Sequence, residues 1–224
     1  MNRLALFDCD GTLVDSQHNI CAAVAAVFGE HGLAIPDHHQ IRRGVGLHVR
    51  EAMARLAPAD TDDALLDRLT DDYKRSFSAL AKGDAYHAGH LYDGISGLLD
   101  ALEQDGWLLG VATGNSDRGL LRILHHHGLE RRFVTLQTAD RHPSKPHPSM
   151  ALTALAEAGA DPTVSLMIGD TSYDMLMGKS AGMIAIGVDW GYHDPAALRE
   201  AGADHIATAP VQIRKYGNHA QPAV

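Results

Sequence analysis

Cysteine is almost missing from this chain: its 224 residues include two, Cys9 and Cys21, both in apolar surroundings. Their spacing matches neither a metal knuckle nor the framework of a small secreted protein, so both read as free thiols in a reducing compartment. Long hydrophobic runs are missing too. No stretch approaches the roughly 20 apolar residues of a membrane-spanning helix, and Met1-Asn2-Arg3 leads into an apolar stretch too short for a signal peptide. The cytoplasm is the expected location, with no membrane partner. Basic residues are outnumbered, 19 Lys and Arg against 28 Asp and Glu for a net charge of -9, and they cluster only in pairs such as Arg42-Arg43. A nucleic-acid surface needs a basic stripe or patch, so no nucleic-acid partner is expected.

What is present is the composition of an ordinary globular protein, with 45% hydrophobic and 21% charged residues. Leu4-Ala5-Leu6-Phe7 predicts a short buried strand that ends on Asp8 and enters a tight turn at Asp10-Gly11-Thr12. Between Asn19 and Gly83 the texture becomes Ala- and Leu-rich, predicting helices over 20–31, 40–56 and 64–81, separated by Pro36 and Pro58. From Gly89 on, apolar runs at 108–113, 133–136, 164–168 and 183–188 alternate with helical patterns at 94–103, 117–127, 148–158 and 173–181. Such alternation predicts right-handed crossover units around a parallel sheet. The expected fold class is α/β: a doubly wound, Rossmann-like parallel sheet interrupted after its first strand by an all-helical insert. The expected division is a core of residues 1–16 and 88–209, a helical unit of 17–87, and a loose polar tail of 210–224.

Ligands of open α/β sheets bind beyond the carboxyl ends of the strands, which singles out four loops. Asp8 and Asp10 leave the first strand, Thr113-Gly114-Asn115 leave the run at 108–113, Lys145 follows that at 133–136, and Asp170 and Asp174 follow that at 164–168. A carboxylate can serve as a covalent nucleophile, and a second one nearby as general acid and then base. Carboxylates that converge repel each other, so Asp8 and Asp10, joined by Asp170 and Asp174, favour a divalent cation, and an all-oxygen set suits Mg²⁺. Gly11 removes a side chain where backbone amides come close to a ligand. Thr113 brings a hydroxyl, and Gly114 and Asn115 bring amides at the start of a helix, a place that attracts phosphate. Lys145, held between Ser144 and Pro146, is a candidate cation for the same site. An isolated Asp-x-Asp-Gly is most often a solvated turn. Here a buried strand precedes it and the other groups follow later strands in order, which favours a site.

Phe7-Asp8-Cys9-Asp10-Gly11-Thr12, Val111-Ala112-Thr113-Gly114-Asn115, Lys145-Pro146-His147-Pro148 and Ile168-Gly169-Asp170-Thr171-Ser172-Tyr173-Asp174 stand in this order along the chain. In order and spelling they resemble the haloacid dehalogenase superfamily, in the branch with a helical cap after the first strand. Gly187-Val188-Asp189-Trp190-Gly191-Tyr192 is similar to the phosphoglycolate phosphatase group. The resemblance implies that Asp8 attacks phosphorus, while Asp10 protonates the leaving alkoxide and then activates water. It implies that Thr113, Asn115 and Lys145 hold the phosphoryl oxygens, with Gly11 and Gly114 in the same cradle. Asp8, the main-chain carbonyl of Asp10 and Asp170 would bind Mg²⁺, with Asp174 next to them through water or Lys145. Arg42, Arg43 and His48 would reach an anionic end of the substrate if the segment at 44–47 dips toward the site.

The expected activity is hydrolysis of a small phosphorylated metabolite, phosphoglycolate-like or a sugar phosphate, and removal of Lys145 is expected to cost turnover and spare the thermal midpoint. The β-phosphoglucomutase branch is the first rival, but there a histidine stands where this chain has Ile20 and an arginine where it has Leu47. A phospho-accepting signalling module would need neither the helical insert nor an acid two residues after its nucleophile. A binding protein without catalysis is disfavoured because none of the matched catalytic positions is substituted.

Overall fold

The structure, a computed structural model, describes residues 2–80 and 89–219. The chain runs through β1 (Leu4–Phe7) and β2 (Val14–Asp15) into four helices, α1 (Gln17–Glu30), α2 (His38–Arg42), α3 (Val49–Leu56) and α4 (Asp63–Leu80). It continues with β3 (His90–Leu91), α5 (Ile95–Gln104), β4 (Leu108–Thr113), α6 (Asp117–His126), β5 (Thr135–Thr138), α7 (Ser149–Ala158) and β6 (Leu166–Gly169). Last come α8 (Ser172–Ser180), β7 (Ile184–Val188), α9 (Pro195–Glu200), β8 (His205–Ala207) and α10 (Pro210–His219).

β1 explains the architecture. Its four residues are fully buried, with Leu4 and Leu6 on one face and Ala5 and Phe7 on the other. A strand that is apolar on both faces needs cover on both, which helices give a parallel sheet. β1 accordingly lies inside a sheet of order β5-β4-β1-β6-β7-β8, with every pairing parallel. On one face Ala5 and Phe7 meet Leu98, Leu99, Leu120 and Ile213, from α5, α6 and α10. On the other, Leu4 and Leu6 meet Met150, Ala154 and Met177, from α7 and α8. This is the doubly wound sheet that the alternation predicts.

Helices α1 to α4 gather around a separate cluster that includes Val24, Val27, Phe28, Ile41, Met53 and Leu69. β2 and β3 pair antiparallel, Val14 with Leu91 and Asp15 with His90, and so tie together the two strands of chain that lead to and from this insertion. The expected helix over 40–56 is two helices, because Gly44 and Gly46, the latter at φ +91°, turn the chain out of α2 before α3 begins. β5 lies two residues later than the apolar run suggests. Its buried Thr135 and Gln137 are polar, and both bond to Glu157, at 2.6 and 2.8 Å. The expected loose tail is corrected over 210–219. Those residues form α10, which buries Ile213 and pairs Arg214 with Asp105 at 2.6 Å. Residues 81–88 and 220–224, which hold the end of the expected helical unit and of the tail, lie outside the described residues. Among the described residues no helix is long and apolar enough to cross a membrane.

Candidate active site

β4, β1 and β6 lie side by side, so their carboxyl ends bring Thr113, Asp8 and Asp170 together at the reversal in strand order. Asp8, Asp170 and Asp174 are fully buried, and so is Lys145 at 1% exposure. Lys145 Nζ donates to Asp8 Oδ1 at 2.7 Å and to Asp174 Oδ1 at 2.6 Å. One buried ammonium therefore faces three buried carboxylates. Burial pushes the Asp8 carboxyl well above its ordinary range against the pull of Lys145, and the charges of Asp174 and Asp170 push the same way. Burial works against the charge of Lys145 too, but Asp174 and Asp8 outweigh it and hold the ammonium above its usual range.

Oxygens of Asp8, Asp170 and Asp174 all lie within 4.8 Å of one another. Asp8 Oδ2 is buried with no hydrogen-bond partner, a costly state for a carboxylate oxygen. A cation bound there would satisfy it, and an all-oxygen donor set suits a hard divalent ion. The residues present therefore fit a metal. Asp174 is already engaged: Lys145 takes one oxygen, and the Thr171 amide (3.1 Å) and hydroxyl (2.6 Å) take the other. Lys145 links it to Asp8.

Burial and the charge of Asp174 push the Asp170 carboxyl up to about 7, against bonds from the Tyr192 amide at 2.9 Å and the Thr12 hydroxyl at 2.8 Å. The protonated form is the one that folding favours. Its stabilisation is complete below the ordinary 3.8 and lost as pH rises through about 7. In metal-free protein, Asp170→Asn should flatten this part of the melting-temperature profile. In a metal titration it should weaken binding by at least the roughly 10- to 100-fold that loss of an outer partner of a ligand costs; an unchanged midpoint would remove Asp170 from the metal site.

Asp10 is held apart from the acidic group. Ser16 Oγ donates to its Oδ1 and Asn115 Nδ2 to its Oδ2, both at 2.5 Å. Burial raises its pKa, opposed first by these two bonds. Its side chain is turned to Ser16 and Asn115 and does not belong to the group of converging carboxylates formed by Asp8, Asp170 and Asp174. The Tyr192 hydroxyl reaches Ser16 Oγ at 3.3 Å across 176 residues of sequence. Neither Ser16 nor Tyr192 is a candidate from sequence, since their meeting depends on the fold.

The expected cradle is partly rebuilt. Thr113 Oγ1 accepts the Asn115 amide at 3.2 Å and keeps its own proton to donate. Gly11 is corrected as an amide donor, because its N–H is spent on the Val14 carbonyl at 2.8 Å. Gly11 is needed for its shape: at φ +90°, any Cβ would overlap the Asp170 carboxylate. At Gly114 a Cβ would lie 2.8 Å from the Leu47 carbonyl and 3.0 Å from that of Gly46. The segment at 44–47 does dip to the site.

Of the three residues expected to follow it there, only His48 lines the cavity beside Asp10. Arg42 donates to the Gly191 carbonyl at 2.7 Å and lies over the Tyr192 ring. Arg43 is exposed, and it is its carbonyl that reaches the sheet domain, accepting from the Tyr173 hydroxyl at 2.9 Å. Arg42 and Arg43 therefore latch the helical insertion onto the sheet domain, a role set by contacts distant in sequence.

Residues 5–188 match the family described as haloacid dehalogenase-like hydrolase. A phosphoglycolate phosphatase of Xanthomonas campestris is 32% identical over 98% of this chain and 98% of its own length. An N-acetylmuramic acid 6-phosphate phosphatase of Pseudomonas putida is 31% identical over 95% of each. Among solved structures, a predicted phosphatase from Clostridium acetobutylicum superposes with a TM-score of 0.85 at 25% identity, covering 98% of this chain and 99% of that one. The chain belongs to the haloacid dehalogenase-like hydrolases, and within them it is a phosphatase.

Proposed function

We propose that this phosphatase uses Mg²⁺ to hydrolyse a small phosphomonoester through a phospho-aspartate on Asp8. The observation that carries the reading is the state of Asp8: Lys145 clamps one oxygen at 2.7 Å and the other is buried and unpartnered. Asp8 forms a bond to phosphorus as the bond to the leaving oxygen breaks, and Asp10 gives that oxygen its proton. Asp10 then takes a proton from water, whose oxygen attacks phosphorus and frees Asp8 and inorganic phosphate. Thr113, Asn115 and Lys145 hold the phosphoryl oxygens. Asp8, the Asp10 carbonyl and Asp170 would hold Mg²⁺, which when bound offsets negative charge at the phosphoryl group.

The insertion of α1 to α4 acts as the cap over this reaction. The substrate is a small phosphorylated metabolite of the phosphoglycolate-like or sugar-phosphate class, in keeping with the names of the two relatives. Ile20 and Leu47 line the cavity with apolar surface where the mutases carry a histidine and an arginine, and this supports hydrolysis over transfer. The two free buried thiols fit a cytoplasmic setting.

Turnover of a phosphomonoester should require Mg²⁺ and fall by an order of magnitude or more when Ca²⁺ replaces it. The larger ion takes more ligands and would draw both Asp8 oxygens away from attack. Steady-state phosphate release in the two ions checks this, and equal rates would contradict it.

A further inference from the structure

We infer that the alcohol half of the substrate is larger than a two-carbon acid and carries a second anionic group, held by Lys74, Arg118 and Arg122. This deepens the phosphatase reading and rests on it. Asp10 and Asn115 line a cavity of about 410 Å³ that lies between the sheet domain and the helical insertion. The leaving oxygen must sit beside the proton donor and in line with the attacking Asp8. A cavity that opens on Asp10 is therefore where the rest of the substrate goes. At ~30 Å³ per water-sized group, the five or so heavy atoms of glycolate would fill less than half of it.

The insertion lines this cavity with Ile20, Val24, Met53, Leu56 and Phe77, an apolar wall that a small polar acid would leave wet. From the sheet domain, α6 presents Arg118 and Arg122, four residues apart and so one above the other on the same side of the helix. Lys74 lines the same cavity from α4. Like charges one turn apart repel, and no described carboxylate pairs with Arg118, Arg122 or Lys74, of which Arg118 and Lys74 are exposed and Arg122 is half-buried. Of the acids that line the cavity, Asp10 is taken on both oxygens by Ser16 and Asn115, and the exposed Asp140 on one oxygen by the Asp117 amide at 2.8 Å. The phosphoryl group does not meet the demand either: of the three residues that hold it, Thr113 and Lys145 do not line this cavity, and Asn115 lines it where it bonds to Asp10. A carboxylate or a second phosphate on the leaving group would.

The test measures kcat/KM for phenyl phosphate, 4-carboxyphenyl phosphate and 1,4-phenylene bisphosphate, with the wild type and with Arg118→Gln/Arg122→Gln. Taking the ratio of wild type to variant for each compound cancels differences in leaving-group chemistry. That ratio should be on the order of 10- to 100-fold larger for one or both of the compounds with a second anion than for phenyl phosphate. It should be carried by KM. Lys74→Gln, on a different helix, should change the ratios in the same direction. A larger ratio for the carboxylate identifies an acid, and a larger one for the bisphosphate a second phosphoryl group. Equal ratios for all three compounds would overturn the inference. If the wild type hydrolyses none of them, the phosphatase reading itself falls and takes this inference with it.

Discussion

Asp8→Asn should leave no measurable turnover in a protein that stays folded. Loss of a covalent nucleophile costs on the order of 10⁴-fold or more, and an amide at this position cannot form the acyl phosphate. Stability should hold for a separate reason. Asp8 is fully buried, and burial pushes its carboxyl well above the ordinary range. The amide removes an ill-solvated charge and still offers an oxygen to Lys145, so the melting temperature of metal-free protein should be unchanged or higher. Phosphate release across a wide range of Mg²⁺ concentrations checks the role. A nucleophile cannot be replaced by more metal, whereas recovery of rate at high Mg²⁺ would reduce Asp8 to a metal ligand.

Lys145→Ala should damage both rate and stability. Read as a loop lysine it would spare the fold, and the structure corrects that expectation. Its ammonium is buried between Asp8 at 2.7 Å and Asp174 at 2.6 Å. Removing one partner of a buried ion pair strands the other and costs about 3–5 kcal/mol. The loss of a fixed cation against developing phosphoryl charge should lower kcat by roughly 10²- to 10³-fold. Because a bound dication would neutralise the stranded carboxylates, Mg²⁺ should raise the melting temperature of the variant more than that of the wild type. Denaturant melts with and without Mg²⁺, alongside kcat, give the three numbers. A melting midpoint like that of the wild type would mean that Lys145 is not the buried partner of Asp8 and Asp174.

The parts of the site that were legible in the sequence are those with local signals. Asp8, Thr113 and Asp170 each end or follow an apolar run, and a strand-end position in a parallel sheet is enough to bring them together. Lys145 was legible as a candidate but not as a buried group, since its loop, Ser144 to Pro146, is not apolar and its burial comes from elements distant in sequence. Ser16 and Tyr192 were hidden for the same reason. Their contact spans 176 residues, and no short-range pattern encodes it. β5 was displaced because Thr135 and Gln137 bury polar groups satisfied by Glu157, so the apolar run there marks the approach to the strand. Arg42 and Arg43 were legible as cations near the site, but not as latches to the Gly191 carbonyl and the Tyr173 hydroxyl.

The covalent intermediate is the claim on which the mechanism stands, and Asp10→Asn exposes it. Asn115 and Ser16 hold Asp10 where it would first give and then take a proton. Without that carboxyl, an activated aryl phosphate can still lose its leaving group unaided, but water is no longer activated for release. Acid quenching of this variant during turnover, followed by mass spectrometry, should show one added phosphoryl group on the peptide that contains Asp8. The adduct should be missing from the Asp8→Asn/Asp10→Asn double variant. An unlabelled Asp8 peptide, quenched while the single variant is still consuming substrate, would mean that water attacks phosphorus directly and would contradict the phospho-aspartate.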